Sequence, residues 1–254
     1  MEPKHPMTVA RNPRPIPILT YHQLDTPPPK GTPFRGLTVA PATFSRHMRL
    51  LKAMGYRGLS MRDLLPYLRG EKQGKVFGLT FDDGFRNVLQ HALPVLQATG
   101  FTATNYFVAG QVDGSNVWDH DKGVPPARLM NRAEILAWAS AGQEVGSHTL
   151  DHVDLKQCGA TAAHRQIEDS KSVLEALTGV PVDAFCFPYG YYLPEQCALA
   201  EASGYSTATT TRRGRALAGD GLLELPRVPV VRSTNFLSLA IKMFSRREDK
   251  RGGR

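Results

Sequence analysis

The sequence predicts an α/β protein, a single-domain distorted (β/α) barrel of about seven strands. Three observations predict it. Apolar runs of strand length alternate with amphipathic stretches of helix length from residue 16 to residue 244. One run, Val76-Phe-Gly-Leu-Thr-Phe81, carries no charge, as expected of a parallel strand covered on both faces. No linker divides the 254 residues, a length that one such domain can fill.

The elements follow in order. Residues 1–15, rich in proline and charge, read as a flexible arm. Residues 16–21 read as a short buried strand ending at His22, and the Pro/Gly-rich stretch 27–36 as a loop. Phe44, Met48 and Leu51 share one face of a helix over 41–55, which Gly55 ends. Leu64, Leu65 and Leu68 turn inward on a second helix over 61–69. The strand Val76–Phe81 closes at Asp82-Asp83-Gly84, and a helix over 86–98 carries Pro94, where it can kink. Further strands are expected over 102–108, Glu144–Ser147, 184–187, 206–210 and 228–231. The helices between and after them are expected over Arg132–Ser140, 162–177, Pro194–Ala202 and Phe236–Phe244. The folded domain thus spans 16–244, and residues 245–254 read as a basic tail.

Composition and charge exclude several classes. Apolar residues make up 41% and charged residues 21%, too much of the former for a disordered chain. No run of about 18 apolar residues is present to cross a membrane. The cysteines Cys158, Cys186 and Cys197 are too few and scattered for a disulfide framework. The net charge of +8 is concentrated at the ends, +2 in residues 1–15 and +3 in residues 245–254. No basic stripe is interleaved with aromatics, so nucleic acid is not an expected partner. Solvated basic ends are the plain reading; the alternative is peripheral contact of the basic tail with an anionic membrane surface. Residues 1–17 have no apolar core of a secretory leader, so a cytoplasmic location is expected, peripheral to the inner membrane face at most.

The chemistry gathers at strand ends, where α/β barrels place their sites. Asp82 and Asp83 end one strand, His148 and His152 follow another, Pro188-Tyr189-Gly190 ends a third and His22 the first. Adjacent carboxylates are hard to bury unless cations compensate them. At a strand end they can diverge, one toward a metal and one toward a water beside it, with Gly84 allowing a tight exit. Alone, Asp-Asp-Gly is also a common surface turn. His148-Thr-Leu-Asp-His152 spaces two imidazoles i, i+4, on one face if helical, so that both can hold one metal. Two histidines, one carboxylate and open positions suit a catalytic divalent ion, and the spare carboxylate is then a base for water.

These blocks resemble the polysaccharide deacetylase family (NodB homology, carbohydrate esterase family 4). Leu79-Thr-Phe-Asp-Asp-Gly-Phe85 resembles its first motif, Ser147-His-Thr-Leu-Asp-His152 its second and Phe185-Cys-Phe-Pro-Tyr-Gly190 its third, in the same order. The resemblance covers roughly residues 16–232. It implies Asp82 as general base, Asp83, His148 and His152 as ligands of one divalent metal, and the Tyr189 N–H as oxyanion donor. Zinc is the first choice of metal, with cobalt or nickel as alternatives. The implied reaction is hydrolysis of an N-acetyl, less often O-acetyl, group on a carbohydrate or glycolipid. Pro188 and Tyr189 would line the substrate site.

Two departures stand out. Many members carry an Arg in the third motif that orients the base, where this chain has Cys186; Arg227, from another strand, can supply that charge. Many members also carry a general-acid His in a C-terminal motif, and no His follows His164 here. Leu19-Thr-Tyr-His22 resembles an N-terminal element of a subgroup that deacetylates exported poly-N-acetylglucosamine, which implies His22 as the acid. Trp118 and Asp119, in a Gly/Asn/Pro-rich stretch, are candidates for stacking on a sugar and binding its hydroxyls, or else pack the loop. A non-haem iron oxygenase would use the same ligand types but leaves the second carboxylate without a role. A non-catalytic carbohydrate-binding relative would not need the base.

Overall fold

The computed structural model describes residues 14–217 and 219–253. The arm expected over 1–15 therefore lies outside the described residues, apart from Arg14 and Pro15. The first half of the chain forms β1 (Ile18–Tyr21), β2 (Gln23–Leu24), β3 (Thr38–Val39), α1 (Pro41–Ala53), β4 (Arg57–Leu59), α2 (Met61–Leu68), β5 (Val76–Phe81) and α3 (Arg86–Thr99). It continues with β6 (Thr104–Phe107), α4 (Arg132–Ser140), β7 (Glu144–Ser147), α5 (Ala160–Thr178) and β8 (Ala184–Cys186). The last part holds α6 (Pro194–Ala202), β9 (Thr207–Arg213), β10 (Leu225–Pro229), α7 (Phe236–Phe244) and α8 (Arg247–Arg251).

Seven parallel strands close a barrel, in the order β1, β10, β9, β8, β7, β6, β5 and back to β1. The seam is the pairing of β1 with β5, from Ile18↔Gly78 to Tyr21↔Phe81. An eighth strand distorts the ring. β4 pairs with the first half of β5, from Arg57↔Val76 to Leu59↔Gly78, and β6 joins β5 only at Thr80↔Thr104 and Phe81↔Asn105. β2 and β3 form a separate small pair.

Strand alternation sorts the core into two clusters. Leu19, Phe77, Leu79, Phe81 and Phe185 face the helices, where they meet Phe44, Met48, Val88 and Trp138. Ile18, Val76, Tyr106, Ala184 and Cys186 belong to the other cluster. Helix starts are fixed locally. The Ser60 side chain caps α2 by accepting from Asp63 N at 3.2 Å, and Asn131 forms a reciprocal capping box with Glu134 on α4. α3 continues through Pro94 to Thr99.

The structure departs from the sequence reading in three places. β4, three residues with one Gly and one exposed Arg, is a strand that apolar runs do not reveal. The last barrel strand begins at Leu225 rather than Val228, because Pro226, Arg227 and Pro229 lie inside it. Residues 245–253 are not a solvated tail. α8 buries Glu248 and Asp249 against the fold, with Arg215 Nη2 2.6 Å from Asp249 Oδ2 and Arg213 Nη1 3.4 Å from Glu248 Oε2. Counting charges along the chain cannot reveal that its two acids turn inward to meet arginines at and just past the end of β9.

Candidate active site

Four strand ends build the site. β5 delivers Asp82 and Asp83, both buried and both lining one cavity, to different partners. The split is made by the backbone: Asp83 has a φ of 75° and Gly84 one of 76°. A Cβ at Gly84 would come 2.7 Å from the Phe107 ring, so this exit needs glycine for space as well as for conformation.

Asp83 turns toward two imidazoles. Its Oδ1 lies 3.3 Å from His152 Nε2 and 3.5 Å from His148 Nε2. The two histidines are not on a helix. Residues 148–152 form a turn in which Thr149 (φ 66°) and His152 (φ 56°) are both left-handed. Thr149 Oγ1 accepts from His152 N at 3.0 Å and closes the turn. Gln166, reaching from α5, holds it from outside. Its Oε1 accepts from Leu150 N and Asp151 N, both at 3.0 Å, and its Nε2 donates to Asp151 Oδ2 at 2.7 Å. The i, i+4 spacing thus brings the rings together by a turn instead of the helical face expected.

The donor set fits a divalent cation. His148 Nδ1 sits 2.7 Å from the Cys186 carbonyl oxygen, so it carries the proton and leaves the Nε2 lone pair toward Asp83. Burial pushes the His152 pKa down, which keeps that ring in the neutral form a metal needs. Nitrogen and oxygen donors about 2.0–2.1 Å from a tetrahedral zinc stand roughly 3.3 Å apart, close to the separations of Asp83 from the two rings. The His152 ring is held by its neighbours: Trp118 stacks on it at 4.5 Å and 17°, and Tyr189 meets it edge-on at 4.6 Å and 85°.

Asp82 turns toward a guanidinium. Arg227 Nη1 and Nη2 donate to its two carboxylate oxygens at 2.6 and 2.7 Å, with both residues buried. Such a bidentate pair fixes the plane of the carboxylate as well as its charge. Burial alone would raise the Asp82 pKa; the Arg227 charge, with His22 and His148, outweighs it and holds the carboxyl well below the usual range. Arg227 Nη2 also lies 3.2 Å from Cys186 Sγ. Arg227, arriving on β10, therefore stands against the residue where relatives carry their third-motif Arg. It also fills the space among Asp82, His148 and Cys186, a second group of metal-ligand types.

His22, just past β1, places Nε2 3.8 Å from Asp82 Oδ2 and is partly open to solvent. Tyr189, just past β8, has a φ of 57°, and among the described residues nothing accepts its N–H. Gly190 follows with a φ of 70°, where a Cβ would collide with Thr211. His22, Asp82, Asp83, Tyr189 and Arg227 line one cavity of about 90 Å³. It adjoins a wider cleft of about 420 Å³ that shares His22, Asp83 and Asp119.

The remaining candidates fall unevenly. Pro188 is buried and stays outside the cavity lining. Trp118 lines the cavity but gives one indole face to His152. Asp119 accepts from Lys122 Nζ at 2.9 Å. Sequence reasoning missed Lys122, which also donates to Tyr189 Oη at 2.9 Å and so ties the 110–126 loop to the third motif. It missed Gln166 as well; a glutamine on an amphipathic helix gives no local signal of its role.

Comparisons with known proteins place the fold and sequence in one family. The sequence matches the family described as Polysaccharide deacetylase over residues 69–208. The Bacillus subtilis (strain 168) protein YxkH is 27% identical over 223 residues, 87% of this chain and 73% of that protein. The Streptococcus pyogenes deacetylase PplD, solved in complex with acetate, superposes with a TM-score of 0.79 at 28% identity, covering 91% of this chain and 99% of its own. BC0361, a polysaccharide deacetylase from Bacillus cereus, superposes with a TM-score of 0.77 at 29% identity, covering 91% of this chain and 69% of its own. A (β/α)7 barrel with this motif set defines a hydrolase of the carbohydrate-deacetylase class. The chain belongs to the polysaccharide deacetylase family.

Proposed function

We propose that this protein is a metal-dependent N-deacetylase acting on an N-acetylated amino sugar within a polysaccharide, oligosaccharide or glycolipid precursor. The observation that carries the reading is the divergence of Asp82 and Asp83. One carboxylate is committed to two imidazoles and the other to a guanidinium, at the same strand end and on one cavity.

Asp83, His148 and His152 would hold one divalent ion, zinc ahead of cobalt or nickel. Bound there, it supplies Lewis acidity toward a carbonyl oxygen and activates water at neutral pH. The residues of the chain divide the rest of the work. Asp82, kept ionised and aimed by Arg227, accepts the proton of the attacking water. The Tyr189 N–H meets the oxyanion that develops as water adds to the acetyl carbon. His22 donates the proton that the sugar nitrogen needs as its bond to the acetyl carbon breaks. The products are acetate and a free amine.

The test is acetate release from a panel of N-acetylated oligosaccharides and glycolipids, with and without a chelator and with metal restored. Asp82→Asn is expected to lower the rate by about 10²–10⁴-fold with bound metal retained. His148→Ala is expected to lose both metal and activity. Release from O-acetyl but not N-acetyl substrates would instead make the protein an esterase on the same site. Full metal binding with Asp82→Asn as active as wild type would remove Asp82 as the base.

A further inference from the structure

We propose that the face built by α1, α7 and α8 docks the protein on an anionic lipid bilayer. α7 has two apolar sides. Leu239 and Met243 are buried in the core, whereas Leu237, Ile241 and Phe244, spaced i, i+4, i+7, are 70%, 40% and 39% exposed. On α1, which packs beside α7, Leu50 is also exposed, as is Met54 just past its end. The Phe244 ring rests 5.1 Å from that of Tyr56, just past α1, and joins the two helices into one surface. A helix at a protein–water boundary ordinarily turns such residues inward.

The charge around this stripe has one sign. Arg46, Arg49 and Lys52 are exposed on α1, and Arg246, Arg247, Lys250 and Arg251 are exposed beyond the end of α7. No Asp or Glu occurs between Asp25 and Asp63, nor between Glu224 and Glu248. The two acids of α8, Glu248 and Asp249, are buried, Glu248 beside Arg213, Lys242 and the half-exposed Arg251, and Asp249 beside Arg215. Folding therefore hides the negative charges of this segment and leaves the positive ones outside.

An apolar stripe beside a cationic rim is what an interfacial helix presents to headgroups and acyl chains. A second copy of the chain fits poorly, because a two-fold contact would bring the same cationic rim against itself. A soluble polyanion would answer the charge and leave the apolar stripe uncovered. The inference is independent of the reaction proposed for the catalytic site.

The experiment is co-sedimentation of the full chain with vesicles of phosphatidylcholine, alone or with roughly one third phosphatidylglycerol. Binding is expected only to the anionic vesicles. Arg246→Gln with Arg247→Gln is expected to weaken it by about 30-fold, from about 1 kcal/mol per basic residue near such a surface. Leu237→Asn with Ile241→Asn is expected to abolish it with the melting temperature unchanged, since neither side chain is buried. Absence of binding to anionic vesicles overturns the proposal. Undiminished binding by the Leu237/Ile241 variant reduces the contact to charge adsorption and overturns it too. A dimer of the wild-type protein that this variant dissociates would make the face a contact between copies.

Discussion

Arg227 and Asp82 form a buried ion pair whose two members have unequal roles. Both line the cavity, and the guanidinium is bonded also to the Thr210 carbonyl at 2.9 Å and to Thr80 Oγ1 at 3.2 Å. Removing the cation leaves a buried carboxylate without compensation, which costs about 3–5 kcal/mol. Arg227→Met is therefore expected to lower the stability measured by urea unfolding at neutral pH. Its effect on activity has a sign that a purely structural residue would not give. Asp82 in the native protein is depressed below its ordinary pKa, so it stays ionised as pH falls, and its stabilisation is lost progressively as pH drops from the ordinary carboxylate range toward the lowered native pKa. Without Arg227, burial dominates and the pKa rises. The acid limb of the pH–rate profile should then move to higher pH, and an unmoved limb would separate Arg227 from the state of Asp82. Arg227→Lys keeps the charge but not the paired geometry, and is expected to fall between the two.

Among the elements, the turn at 148–152 shows how local chemistry and a distant helix cooperate. Two left-handed residues strain it, and Thr149 and Gln166 return hydrogen bonds that hold it. Gln166→Leu is expected to leave the barrel folded and to weaken metal binding by about 10–100-fold, read by competition with a chromophoric chelator. Equal affinity would mean that the turn holds its shape without α5. The same turn marks the limit of what the sequence makes legible. Its ligand pair is visible because His148 and His152 are rare residues at a suggestive spacing, but that spacing suits a helix and a turn alike. Strands with apolar residues on both faces, such as β5, and helices with a cap and a stripe, such as α4, can be placed from sequence to the residue. β10 is obscured because Pro226, Arg227 and Pro229 do not look like strand. That matters for function, since Arg227 takes its position in the site from being inside β10. α8 is obscured for a different reason: its burial depends on arginines 34 and 35 residues upstream.

For the whole molecule, the candidate site residues are spread around the barrel mouth, so the proposed ligand set comes together only in the folded chain. A cation that binds Asp83, His148 and His152 stabilises the native state and not the unfolded one. At 100 times its dissociation constant it adds about 2.7 kcal/mol. For a chain of this size that is a rise of roughly 5–10 °C in melting temperature. Zinc is expected to produce this rise in the wild-type protein and none in His148→Ala. A rise of the same size in both would place the binding ion elsewhere. The cleft beside the cavity, bounded by His22, Asp83 and Asp119, is where a substrate larger than an acetyl group would extend. Trp118, with one face on His152, can offer such a substrate only its other face or its edge.

The seam of the barrel has a consequence for how the protein is made. β1 leaves the ribosome before the other strands of the ring, yet one of its two neighbours, β10, is the last of them. His22 follows the first of these strands and Arg227 lies within the second, and both meet at Asp82. A nascent chain that has completed every element through α6 still holds an open ring. Its motif carboxylate lacks its cation, and its first strand lacks a partner on one edge. The closed ring and the Arg227–Asp82 pair thus arrive together, only once β10 has been made.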